Sequence, residues 1–139
     1  MNTKNQYLLL FSGNEWYNRL SAAEIQKIME ESKTWFERLS STGKIKGAQA
    51  LARDGATVKN GRIISDGPFA ESKEAIGGYL LLEAGSLEEA IAIAKENPAV
   101  ARGTTIEVRP LSAECPLDAR ARELGIKGCV AEQQLATAA

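Results

Sequence analysis

The residues best suited to chemistry sit in one stretch, Asp66-Gly67-Pro68-Phe69-Ala70-Glu71-Ser72-Lys73-Glu74, followed by Ile76-Gly77-Gly78-Tyr79. Gly67 is driven toward extended geometry by the proline after it, while Pro68 fixes its own φ and removes a backbone donor. The outcome is a stiff loop that holds Asp66 on one side and Phe69 on the other. In a half-buried pocket the Asp66 carboxyl would titrate higher than usual, which suits an acid or a base. The stretch is therefore one candidate for the lining of a small-molecule pocket, with Asp66, Pro68, Phe69, Glu71, Lys73 and Tyr79 as ligand-binding residues. Asp66 is the catalytic candidate, and Arg53 is a further neighbour. A structural reading competes: Asp66 caps its own turn through an Asx hydrogen bond, and residue types alone favour that.

Other chemistries fare worse. The chain has no histidine, so a zinc or haem site would need thiolates or carboxylates, and Cys115 and Cys129 alone make a poor metal cage. We expect no cofactor and no metal. Ser12-Gly13-Asn14 lacks the glycine-rich run and lysine of a phosphate loop. Arg102 and Arg109 could hold an anion, although Arg109 fits a solvated or dimer-facing edge better. Trp35 and Phe36 fit core packing better than an aromatic pocket. The glycines before Tyr79 permit close backbone approach, which suits a neighbouring strand more than a ligand. The two cysteines could form a redox pair, but free thiols are the default in a reducing compartment.

These residues need elements to position them. Tyr7 to Phe11 is a continuous apolar run with the character of a buried strand. Ser21-Ala22-Ala23-Glu24 has the form of a capping box, and Ile25, Ile28, Met29, Ser32, Trp35, Phe36 and Leu39 follow at helical spacing until Gly43. Ala48 to Ala52 predicts a short strand, and Val58 to Ile64 a hairpin turning at Asn60-Gly61. Gly77 to Leu82 reads as a strand, Ser86 as the cap of a helix stopped by Asn97-Pro98, and Thr104 to Leu111 as a half-exposed strand. The order matches a ferredoxin-like split βαβ fold of the α+β class with an inserted β-hairpin. Both helices of such a sheet lie on one face. Nothing before residue 111 covers the other, so a second copy is expected there: a homodimer with face-to-face sheets, a dimeric α/β barrel.

At 139 residues the chain fits one domain. We assign 1–111 to it and 112–139 to a C-terminal extension, with a short helix near Cys115–Gly125 and an alanine-rich tail. A net charge of -1 offers no basic field, so neither nucleic acid nor an anionic membrane is an expected partner. The apolar run at residues 7–11 is too short for a signal or a span, which points to the cytoplasm.

Asp66-Gly67-Pro68-Phe69-Ala70-Glu71, with Gly77-Gly78-Tyr79, resembles the signature of the YCII-related, or DGPF, family. Leu87-Glu88-Glu89-Ala90, Pro98 and Gly103 through Ile106-Glu107-Val108-Arg109-Pro110 match its downstream pattern. The likeness spans roughly residues 5 to 111 and implies a ferredoxin-like protomer in a dimeric α/β barrel. It also strengthens the reading of the Asp66 loop as a pocket lining. Some relatives carry a cleft His and Asp. By spacing, those positions fall at Ser32 and Asn97 here, and neither side chain can replace imidazole as a base.

Three functions stay open. The chain binds or converts a small molecule beside the Asp66 loop, with enzyme activity undecided. Alternatively it is an accessory or regulatory protein working through protein contacts, with a link to sigma-factor regulation allowed by the resemblance. The third is a cofactor-free oxygenase or isomerase, by fold analogy alone.

Overall fold

The apolar run becomes β1 (Gln6–Ser12), the central strand on which everything else is hung. The computed structural model describes residues 5–13, 15–66 and 76–128, the side chains of 64–66 excepted. After β1 come α1 (Ala22–Ser41), β2 (Ile45–Ala50), a hairpin of β3 (Ala56–Lys59) and β4 (Arg62–Asp66), and β5 (Ile76–Glu83). The chain continues with α2 (Leu87–Lys95), β6 (Thr105–Pro110) and α3 (Pro116–Glu123). The main sheet has the order β2-β5-β1-β6, and each pair of neighbours is antiparallel. This is the ferredoxin-like arrangement: two βαβ units interlock, each leaving room for a strand of the other.

Strand alternation decides which side is core. Tyr7, Leu9, Leu80 and Leu82 are buried and pack with Trp35 and Leu39 of α1 and Ala90, Ile93 and Ala94 of α2. Leu9, Leu80 and Leu82 are fully buried, worth roughly 1.5–3 kcal/mol apiece in burial. The alternate residues turn to the other face, where Leu8 lies opposite Leu81 and Leu10 opposite Tyr79. On β6 their partners are Arg109 and Glu107. So one face carries both helices and the other a leucine-rich centre with charged flanks.

The capping box forms as expected: Glu24 N–H donates to Ser21 Oγ at 3.2 Å, and Ser21 N–H to Glu24 Oε1 at 3.0 Å. Only Ile28, Trp35 and Leu39 of the α1 stripe are buried. Met29 is 65% exposed and Phe36 38%. Each is one residue past a buried position, and that step turns the side chain by roughly 100° off the sheet. Phe36 instead packs edge-on against Trp35, with centroids 5.0 Å apart.

β2 starts three residues before the predicted run at Ala48. Pairing with β5, not apolar pattern, makes Ile45-Lys46-Gly47 a strand. The hairpin turns at Asn60 (φ 52°) and Gly61 (φ 73°), the two left-handed positions a type I′ turn needs. It forms a separate two-stranded ribbon. At Gly78 an added Cβ would lie 3.1 Å from the Gln49 carbonyl oxygen, so β2 is the close neighbour its glycine admits. The α3 segment begins after Cys115 with Pro116 at its first turn, as proline at a helix start should.

Candidate ligand pocket

A cavity of about 430 Å³ opens where β1, β2 and β5 end together. The register of β1 against β5 shifts between Phe11 and Ser12, which ends regular pairing and frees space beyond it. Leu51 N–H donates to Gly77 O at 2.8 Å, carrying the β2 backbone one residue further along the rim. Phe11, Ser12, Trp16, Leu51, Ile76 and Thr104 supply much of the wall. The size suits a small organic molecule.

The segment between β1 and α1 supplies the aromatic and charged groups. A single 3₁₀ turn, Trp16–Arg19, follows Glu15. Trp16 and Tyr17 meet edge to face at 5.8 Å. Trp16 is seated against Gly103, where an added Cβ would fall 2.9 Å from Trp16 Cβ. Gly103 also holds φ +126°, a conformation only glycine adopts without strain. Across the opening Arg53 is in contact with the Glu15 carboxylate. Arg53 Nη2 donates to Tyr17 Oη at 3.3 Å, and Asn18 Nδ2 to Glu15 Oε2 at 3.1 Å. An acid, a guanidinium and a phenol thus converge on one rim. Chemically the rim can donate and accept hydrogen bonds at once.

Of the residues expected from sequence, Arg53 is in this pocket. Asp66 ends β4 with its backbone opposite Ala56, and Arg53 stands three positions before Ala56 in the chain. Pro68, Phe69, Glu71 and Lys73 lie outside the described residues, as does Cys129. Tyr79 is 37% exposed and borders a separate, more open hollow of about 440 Å³ with Phe36, Gln49 and Gly78. That hollow shares Phe11, Ala50 and Gly77 with the first cavity. Sequence reasoning missed Glu15, Trp16 and Tyr17. Their signal was two adjacent aromatics with an acid, placed between a strand and a capping box and outside any helical stripe.

A second cleft, about 400 Å³, lies beside α1 and the segment after α2, with Lys27, Glu31, Arg38, Glu96 and Arg102 among its lining. The positions Ser32 and Asn97 belong to these two segments. Asn97 is buried and its Oδ1 accepts from Ala99 N–H at 2.9 Å. Arg38 pairs with Glu96 at 2.9 Å and Arg102 with Glu24 at 3.2 Å. Among the described residues no three His, Cys, Asp or Glu side chains gather to hold a metal ion, and no helix is long and apolar enough to cross a membrane.

The model of the YCII-related domain family matches residues 7–112. An uncharacterised protein of Rhizobium meliloti (strain 1021) is 43% identical over 54 residues, 36% of this chain. That match spans 41% of the relative's length, well short of the whole. Among solved structures, 5-chloro-2-hydroxyhydroquinone dehydrochlorinase from Burkholderia phenoliruptrix AC1100, in complex with 2,5-dihydroxybenzoquinone, superposes with a TM-score of 0.48 at 14% identity. The superposition covers 77% of this chain and 93% of that one.

Proposed function

The chain belongs to the YCII-related domain family, and from that premise we propose that it is a small-molecule-binding protein whose ligand sits in the sheet-end pocket. One observation carries the reading: Glu15, Arg53 and Tyr17 converge on a cavity walled by Phe11, Trp16, Leu51 and Ile76. An apolar hollow with a few convergent polar groups is the usual form of a ligand site. Asp66, at the end of β4, is proposed as the catalytic residue on its sequence context. Native mass spectrometry of freshly purified protein tests this. A retained compound, lost on Arg53→Ala with folding intact, supports the reading; a clean apo spectrum together with no small-molecule response at Trp16 overturns it.

We also propose that the protein is a cytoplasmic homodimer. Leu8, Leu10 and Leu81, each half-buried, form the middle of the sheet face opposite the helices, with Lys46–Glu83 (3.6 Å) and Arg109–Glu107 (3.6 Å) on its flanks. Apolar centre and charged rim are the anatomy of an interface. Light scattering at micromolar concentration should give twice the chain mass, and a monomer removes the proposal.

A second reading, an accessory protein acting through protein contacts, is favoured by the β3–β4 ribbon. Val58 and Ile63 are 66% and 65% exposed on it, and a lone ribbon is marginal in water. If Val58→Ser with Ile63→Ser abolishes function while leaving the retained ligand in place, the contact reading gains and the ligand becomes secondary.

A further inference from the structure

Among the described residues the charges around the pocket come as a matched pair, and its walls mix ring and hydrocarbon surface with nearly as much polar surface. Glu15 and Arg53 are in contact, with Tyr17 and Asn18 as their hydrogen-bond partners. The Arg53 side chain is 56% exposed and keeps N–H donors beyond its Glu15 contact. An anion can therefore reach it only by lying beside the Glu15 carboxylate, and an ammonium ligand can reach Glu15 only by lying beside the Arg53 guanidinium. Either charge meets a like charge next to its partner, which offsets much of the attraction. A neutral group with a donor beside an acceptor meets no such repulsion. Its N–H points to the Glu15 carboxylate while its carbonyl accepts from Arg53, and both are charge-assisted hydrogen bonds. Next to that rim, Trp16 and Phe11 present ring surface and Leu51 presents methyl groups, which favours a flat partner that stacks or meets edge to face.

We infer that the pocket takes an uncharged, flat ring compound bearing an amide or cyclic amide. The inference rests on the small-molecule reading above and names the ligand chemistry of that site. The chain has two tryptophans, so two indole N–H signals report on two places at once. Trp16 lines the pocket, whereas Trp35 Nε1–H donates to Ile93 O at 3.1 Å inside the core. Titrations with benzamide, benzoate and benzylammonium, followed by ¹H–¹⁵N NMR with Trp16→Phe to assign the signals, test it. Benzamide should shift the Trp16 signal saturably and bind about tenfold tighter than either charged probe, with Trp35 unmoved. Arg53→Gln should turn preference toward benzylammonium and Glu15→Gln toward benzoate, each by about tenfold. The unchanged Trp35 signal verifies that these variants fold. A charged probe that binds wild type as well as benzamide does, or variants that weaken all three alike, overturns the amide class and leaves the pocket standing. If no probe moves Trp16, the class falls, and an empty native mass spectrum then takes the pocket reading with it.

Discussion

The sheet-end pocket and the cleft beside α1 are nearly the same size, about 430 and 400 Å³, but their side chains are occupied differently. In the cleft several polar groups already have structural work: Trp35 donates to the Ile93 carbonyl, and Arg38 and Arg102 tie α1 to distant segments. In the pocket the ring faces of Trp16 and Phe11 border open space, and the Glu15–Arg53 ion pair sits at the rim. Volume alone does not mark a site. Uncommitted apolar surface beside a few addressable polar groups does, because a ligand can gain there without dismantling the fold.

The two tryptophans give the sharpest way to break this contrast. Trp35 is 2% exposed and holds α1 to α2 through its indole N–H. Trp35→Ala should cost about 3–5 kcal/mol by cavity formation. Trp16→Ala, in a loop at the pocket wall, should cost about 1 kcal/mol or less while removing small-molecule binding. Chemical denaturation of both variants measures this. Equal losses would mean that Trp16 is a core residue and the pocket a packing defect.

Gly103→Ala comes next in size. The new methyl must meet Trp16 Cβ at 2.9 Å in a backbone with φ +126°. We expect a loss of about 1–3 kcal/mol, and a displaced Trp16 indole signal with Trp35 unchanged. A change at Trp35 instead would couple the two regions that the structure separates.

Much of this architecture was legible from residue order. The Tyr7–Phe11 run, the Ser21–Glu24 box and Asn60-Gly61 each specify a local geometry through a short-range cause, and each formed. Ile45–Gly47 was not legible, because a strand made by its neighbours leaves no apolar period of its own. Nor was the buried half of α1, since Met29 and Phe36 differ from Ile28 and Trp35 by direction and not by type. For the site, Arg53 was legible only as a neighbour of Asp66, and Glu15, Trp16 and Tyr17 only as two aromatics and an acid outside any helical stripe. Loop residues carry no periodicity, and what unites these four is the bulge after Phe11 and the seat at Gly103, both products of long-range pairing.

The smallest expected effect separates the two regions by pH. The Glu24 carboxyl is held below its ordinary value of 4.5, first by the Ser21 backbone N–H, then by the Ser21 hydroxyl, with Arg102 adding to both. Glu89 is held below 4.5 by Lys44 at 2.8 Å and then by the Gly85 backbone N–H. A carboxyl whose folded value is lowered releases its proton more readily in the native state, so the unfolded chain binds more protons. Its stabilising contribution is complete above about 4.5 and is lost as pH falls from there through the lowered folded values. Both groups anchor helices, Glu24 at the start of α1 and Glu89 between α2 and the foot of β2. Acidification below 4.5 should therefore weaken the helical layer, and Glu24→Gln with Glu89→Gln should flatten the acid limb of a denaturation-versus-pH curve. Hydrogen exchange read along the chain localises the effect: protection should fall first at residues 22–24 and 86–90. If the Glu15–Arg53 loop loses protection at higher pH than these helix starts do, acid acts on the pocket first and the assignment of firm helical layer and adaptable sheet end is reversed.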